Sequence, residues 1–422
     1  MIEHGLAIAK VVIVIMMVLN LVPILIWMER KGAAYIQDRR GPNRAALFGI
    51  IRLGGLIHSL ADAIKLITKG DTTNEQAYSP LFILAPMIAL FVVVVTLAVI
   101  PFAEPLHLGN VIFHFQIADL EGGLLYVLAL SSLSVYALLL AGWSSGNKYS
   151  LLGALRGASQ MLSYELAMAL SVVALFLVAG SFRLNDIVAD QGSNLFSWNA
   201  VRLPLAFLLF FVALFAETNR LPFDLPEGEA EITAGFHTEY SSMRFAVFFM
   251  AEYAHIIVGS LLVSLLFFGG WHLPFVSTTL MREHIHSIIP MTWIGLIVLH
   301  FLVGLFLTRR YFKRRGYWGD KRDLEPLLFG AGALFMGFVF FGTYFIFSSH
   351  AIPEGAIALF LFFLQLIVLL TKTLFFVSVF IWVRWTLPRF RYDQLMRLGW
   401  KVLLPLGIVN VVIAAVMVLL RP

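Results

Sequence analysis

The chain contains no cysteine among its 422 residues. That excludes disulfides, cysteine-ligated iron–sulfur clusters and a thiolate nucleophile within this polypeptide. Charge is scarce as well: Asp, Glu, Lys and Arg make up 13%, against about 25% in a soluble domain. No polar stretch is long enough for a separate soluble domain. No G-x-G-x-x-G or Walker A sequence occurs, so neither a dinucleotide nor a nucleoside triphosphate has an evident site. No spacing of histidines and carboxylates suggests a metal. What abounds is apolar sequence, 60% of the chain, in runs of 18 or more residues that suffice to cross a bilayer as helices. The expectation is an all-α, polytopic membrane helix bundle, one domain over 1–422.

Ten spans are expected, at about 6–28, 80–100, 124–142, 160–180, 201–217, 245–268, 288–308, 327–347, 356–385 and 401–420. The first is too long for the apolar core of a cleavable signal, and the ninth is long enough to be tilted or broken. Lys and Arg fall in alternate loops: eight in 29–79, seven in 309–326, five in 384–401, and two each in 143–159 and 217–244. By the positive-inside rule those loops are cytoplasmic and both termini lie outside, as in a bacterial inner membrane. The +5 net charge is explained by this topology and implies no nucleic-acid partner.

Residues 47–69 are apolar yet not a span. On a helix they would line Arg52, Gly55, Ser59, Asp62, Lys65 and Lys69 along one stripe, as in an amphipathic helix at the membrane surface. Such a helix either floats there, packs under the bundle, or covers an opening for a lipid-like substrate.

Ionisable groups inside spans are costly and usually face a protein interior or a water-filled cavity. Glu29 ends the first span, Glu165 is expected about a turn and a half into the fourth, Glu217 ends the fifth and Glu252 lies two turns into the sixth. The loop ETNRLPFDLPEGEAEITAGFHTE, 217–239, holds six acids (Glu217, Asp224, Glu227, Glu229, Glu231 and Glu239) against one base, Arg220. Crowded and buried carboxylates raise one another's pKa, which is what a proton-loading path requires. The bland alternatives are a solvated loop and headgroup-facing glutamates; a shared polar cavity accounts for all of them together. His237 reads as a structural histidine. Arg384, Arg389 and Arg391 follow the ninth span and either pair with the acidic loop or anchor the helix at the headgroups.

The segments WMERKGAAYIQDRRGPN (27–43), LADAIKL (60–66), SYELAM (163–168), AETNRLPFDLPEGEAEITAGFHTEYSSMRFAVFFMAEY (216–253) and RWTLPRFRYDQLMRLGWK (384–401) closely resemble the quinone-site, H-type membrane subunit of respiratory complex I, the complex I subunit 1 family. The resemblance covers almost the whole chain except about 272–355. It implies a subunit joining the peripheral redox arm to the membrane arm of a proton-translocating NADH:quinone oxidoreductase, with quinone as substrate and flavin and iron–sulfur clusters held only by partner subunits. Within it, Glu217, Asp224, Glu227, Glu229 and Glu231 match the acidic loop beside the quinone chamber, and Glu165 and Glu252 the carboxylates leading to the pumping subunits. Asp62 and Lys65 match the surface helix at the quinone entrance; Arg30, Arg39, Arg384, Arg389 and Arg391 match the cationic lining facing the peripheral arm. The common form has eight spans, so about 272–355 reads as an extra two-helix insertion, peripheral and without an intramembrane acid. Rival readings are the homologous subunit of a membrane-bound hydrogenase or ferredoxin-linked complex, and an independent ion transporter, for which a sequence repeat is wanting.

Overall fold

The computed structural model describes all residues except 1, 109–110, 229–230, 232, 314–318, 350–352 and 421–422. It is 75% helical. The helices are α1 (Ile2–Ile36), α2 (Ile57–Thr68), α3 (Ser79–Thr96), α4 (Gly123–Ser144), α5 (Lys148–Ala179), α6 (Leu184–Gln191), α7 (Asn199–Arg202) and α8 (Pro204–Glu217). They continue with α9 (Ser242–Phe267), α10 (Thr278–Glu283), α11 (Ile285–Lys313), α12 (Glu325–Ser349), α13 (Glu354–Thr386), α14 (Tyr392–Leu398) and α15 (Leu404–Leu419). A small antiparallel pair, β1 (Leu106–Leu108) with β2 (Val111–Phe113), lies between α3 and α4.

Among the described residues, nine helices are long and apolar enough to cross a membrane. The fifth expected span, 201–217, is shorter. Leu203 precedes Pro204 and leaves the helical region (φ −130°, ψ 61°), as the steric clash with a following proline ring dictates. The helix therefore starts at Pro204 and, at 14 residues, rises only about 21 Å. The ninth expected span is one unbroken helix of 33 residues. The fourth begins twelve residues earlier than the hydropathy implied, capped by Asn147, whose side chain accepts from the Tyr149 amide. Glu165 accordingly lies in mid-helix rather than near an end.

The bundle core is apolar side chains of α1, α5, α8, α9 and α13, with Leu25, Leu175, Leu209 and Phe380 fully enclosed. Hydrogen bonds gather all five basic segments at one end. The Tyr78 amide donates to Ser144 O at 2.8 Å, the Ser241 hydroxyl to Asp71 at 3.0 Å, the Arg52 amide to Glu325 at 2.8 Å and the Phe390 amide to Pro222 O at 3.1 Å. A miscounted crossing would have set some of these segments at opposite ends.

The expected 47–69 helix is interrupted. Only Ile57–Thr68 is α-helical, because Gly54 and Gly55 adopt φ of 63° and 104°. Gly55 is pressed so closely on Pro42 that a Cβ would fall 2.1 Å from the Pro42 oxygen. The turn takes Arg52 off the surface stripe and buries it. The hairpin of α11 and α12 packs mainly on itself and is mostly exposed; Met281, Ile285 and Ile289 anchor its first end to Leu361 of α13. Its acid, Glu325, is buried at the start of α12.

Candidate functional site

The acidic residues singled out in the sequence divide into three groups, set by which helix end presents them. The first surrounds Arg220, where the chain leaves α8. This guanidinium is 3% exposed. Its Nε lies 2.5 Å from Glu252 of α9 and its Nη1 3.5 Å from Glu29 of α1. Arg384 of α13 reaches the other oxygen of Glu29 at 2.5 Å. The Tyr253 hydroxyl donates to Glu29 at 2.7 Å, and the Arg220 guanidinium lies 4.4 Å from the Tyr253 ring centre. Burial opposes the Arg220 charge, but Glu252, Tyr253, Glu29 and Glu227 hold its pKa well above the ordinary arginine value. Two carboxylates and two guanidiniums from α1, α9, α13 and the acidic loop thus neutralise one another. Sequence reasoning noted Arg220 only as the loop's lone base. Its signal was a single arginine beside two intramembrane glutamates of matching depth.

The second group is Glu217, Glu227 and His255. Glu217 Oε1 lies 3.7 Å from His255 Nε2. A cavity of about 70 Å³ is bounded by Glu217, Glu227, Glu252 and His255. A second, of about 30 Å³, is bounded by Glu217, His255, Ser131 and Thr96. A water needs about 10–15 Å³ of such space and two or more polar partners, so both admit water. Glu165 of α5 accepts a hydrogen bond from Ser132 of α4, and Glu217 is near enough to act on it electrostatically. His255 was not singled out in the sequence. Three residues beyond Glu252, it shares that helix face, which is the cue that was available.

The third group is Asp224 and Glu231 with Arg389. Arg389 donates to Asp224 at 2.7 Å and to Glu231 at 3.3 Å, and Arg156 lies 3.8 Å from Glu231. Asp224 is 4% exposed. Burial raises its pKa, and the Arg389 hydrogen bond and charge, with Arg220 and the Gly228 amide, work in the opposite direction. Arg389 therefore pairs with the acidic loop, whereas Arg384 pairs with Glu29. Glu229 lies outside the described residues. Glu239 accepts from Asn147 at 2.7 Å, fastening the loop to the start of α5. His237 packs edge-on to Phe236, and burial lowers its pKa to about 4, so it is neutral at physiological pH. The loop lies against α5 without a gap: a Cβ on Gly153 would stand 2.8 Å from the Gly235 Cα.

Beside these groups, α1, α2 and α9 enclose a cavity of about 570 Å³. The Ser59 hydroxyl donates to Pro23 O at 3.0 Å, and the Ser242 hydroxyl to Leu66 O at 3.0 Å and Lys69 O at 2.8 Å. These bonds hold α2 across α1 and α9. Arg30, Asp62 and Lys65 line the cavity mouth, Arg30 paired with Asp62, above a floor of Leu19, Val22, Ile26, Phe249 and Met250. Arg39 and Arg391 are exposed and line none of these cavities. Arg39 donates to Gln37 at 2.7 Å, and Arg391 caps α14.

The sequence model of a family described as NADH dehydrogenase matches residues 9–318 and 328–415. Three curated relatives, all H-type subunits of NADH-quinone oxidoreductases, are similar over nearly their whole length. The one from Solibacter usitatus is 41% identical over 398 residues, covering 93% of this chain and 91% of the relative. That of Geobacter metallireducens is 40% identical over 413 residues, covering 98% and 96%. That of Bdellovibrio bacteriovorus is 37% identical over 430 residues, covering 96% and 94%. With matches this long and a carboxylate-rich loop closed over a polar cavity, the chain belongs to the family of H-type NADH-quinone oxidoreductase subunits.

Proposed function

We propose that this chain forms the membrane half of the quinone chamber in a proton-translocating NADH:quinone oxidoreductase and begins the path that carries the effect of quinone reduction into the membrane arm. The observation that carries the reading is the cavity between α1, α2 and α9. It is lined by apolar side chains of α1 and α9 and by the charged Arg30, Asp62 and Lys65, and the Arg220 cluster stands at the same end of α1 and α9. An isoprenoid quinone has the matching character, an apolar tail and a polar head. Electrons arrive from an iron–sulfur cluster of a partner subunit of the peripheral arm, consistent with a chain without cysteine. The basic end faces the cytoplasm of a bacterial inner membrane.

Quinone reduction takes up two electrons and two protons. A head group that gains electron density in a low-dielectric chamber raises the pKa of nearby carboxylates. Glu29 and Glu252 are held by arginines, so they serve as a fixed charge lattice. Glu217, facing His255 and two water-sized cavities, is the group placed to take up a proton and pass the change to Glu165.

The test is Ala63→Trp, which places an indole in the cavity mouth. NADH:quinone turnover in membranes should fall at least tenfold, and NADH oxidation by a water-soluble acceptor that draws from the peripheral arm should stay unchanged. Unaltered quinone kinetics in an assembled Ala63→Trp complex would refute the chamber assignment.

A further inference from the structure

A cavity of about 780 Å³ lies apart from the groups above, between the α11–α12 hairpin and the loop after α1. Its polar wall carries Arg40, Arg52, Arg310 and Arg322 against Asp323 and Glu325. The two acids are already engaged within the wall. Glu325 accepts from the amides of Arg52 at 2.8 Å and Leu53 at 2.7 Å with one oxygen, and from Arg52 Nε and Nη2 at 2.8 and 2.7 Å with the other. Asp323 accepts from the Gly319 amide at 3.2 Å. Arg322 is itself paired with Asp320, so four arginines meet three acids and the site keeps one positive charge. Leu307, Pro326 and Phe329 form the apolar side.

The depth of the cavity is set by the sequence of α11. Its apolar run ends at Leu307, Arg309 follows, and Arg310 and Lys313 lie in the last turn, where helix carbonyls favour cations. The cavity thus spans the boundary between hydrocarbon and headgroups. Below it, Leu302, Leu305 and Phe306 of α11 and Phe335 and Phe338 of α12 are exposed, a continuous apolar surface at bilayer depth. A surplus of arginine at headgroup level above an apolar hairpin is the arrangement that recognises an anionic phospholipid.

We propose that this cavity is a binding site for an anionic phospholipid, its phosphodiester held by Arg310 with Arg40 and its acyl chains lying along α11 and α12. Because Arg52 and Glu325 bridge the hairpin to the loop after α1, the lipid would brace the hairpin against the loop that leads into α2.

The test uses the assembled complex, purified in mild detergent and labelled with a photoactivatable phosphatidylglycerol, with peptide mapping of residues 307–329. Wild type should be labelled there, and competition by unlabelled phosphatidylglycerol but not by phosphatidylcholine should remove the label. Arg310→Gln should lower occupancy about fivefold, one cation's worth at an anionic headgroup, and Arg310→Lys should retain most of it. Four outcomes overturn the proposal. Equal labelling in Arg310→Gln removes the site, and equal competition by phosphatidylcholine removes the charge selection. Competition by millimolar inorganic phosphate as effective as by the lipid points to a soluble anion instead. An acidic polypeptide that leaves the complex in Arg310→Gln while the label is unchanged would also overturn it, in favour of a protein partner.

Discussion

Replacing Arg220 by Met leaves Glu29 and Glu252 facing each other in a site where both are largely shielded from water. Glu252 would lose the guanidinium at 2.5 Å, and among the described residues Glu29 would keep Arg384 and the Tyr253 hydroxyl. Removing one member of a buried ion pair costs about 3–5 kcal/mol, because the charge left behind is neither solvated nor compensated. That is two to four orders of magnitude in the folded-to-unfolded ratio, enough to reduce assembled complex severely. The assay is the thermal midpoint of the purified complex together with the amount of this chain recovered in it. A control separates lost charge from lost shape. Adding Glu252→Gln to Arg220→Met removes the stranded carboxylate and should recover about 1–3 kcal/mol, a coupling energy usual for residues in one network. Arg220→Lys should fall between, since an ammonium cannot serve carboxylates on two sides with a planar fork. If Arg220→Met assembles with an unchanged midpoint, or if the double variant gains nothing, the charge-lattice reasoning fails.

Other consequences are checked more directly. Glu217→Gln keeps shape and removes titration, so NADH:quinone turnover in proteoliposomes should lose its proton pumping; full pumping would remove Glu217 from the path. Lys65→Gln and Asp62→Asn should raise KM for quinone more than they lower kcat. Their effect on stability should stay under about 1 kcal/mol, because the Arg30–Asp62 pair is exposed and an exposed pair contributes little. His237 has its pKa lowered to about 4 by burial, below the value near 6.5 of an unfolded chain. The unfolded chain binds the extra proton between those values, so the stability His237 contributes is complete above about pH 6.5 and is lost as pH falls toward 4. His237→Gln should flatten that acid limb in a melting-temperature profile against pH.

The membrane bundle was legible because hydropathy and charge asymmetry act over long windows and reinforce each other. The segments 29–79 and 384–401 were assigned to one side by their arginines, and hydrogen bonds join both to the other basic segments. What escaped was local. The 47–69 stripe assumed uninterrupted helical periodicity, and two glycines with positive φ broke it. The start of α5 was misplaced because Ser150, Gly153 and Gly157 read as polar or flexible, whereas they are the small residues that let the acidic loop close on that helix. The carboxylates were all visible, but their partners were not. Nothing in the spacing assigns Arg384 to Glu29 and Arg389 to Asp224 rather than the reverse; those choices are made by packing between segments more than 150 residues apart.

That pairing decides what each carboxylate can do. A glutamate clasped by a buried guanidinium is part of the scaffold, because removing its charge would leave the arginine uncompensated. Glu29 and Glu252 are such residues, and they sit on α1 and α9, two of the helices that wall the cavity of about 570 Å³. Glu217 and Glu165 differ: among the described residues, Glu217 faces only a histidine at ion-pair distance, and Glu165 is held by a serine hydroxyl. On the function proposed above, a charge change in the chamber would meet the arginine-paired carboxylates first and Glu217 and Glu165 behind them. The first set is fixed by its arginines, and water-sized space lies beside Glu217. The arrangement gives an ordering that experiment can contradict. Glu217→Gln and Glu165→Gln should uncouple pumping with the complex intact, whereas Glu29→Gln should lower assembly before it alters coupling. An intact, fully assembled Glu29→Gln complex that had lost pumping would place the titrating group at the arginine cluster and reverse the order.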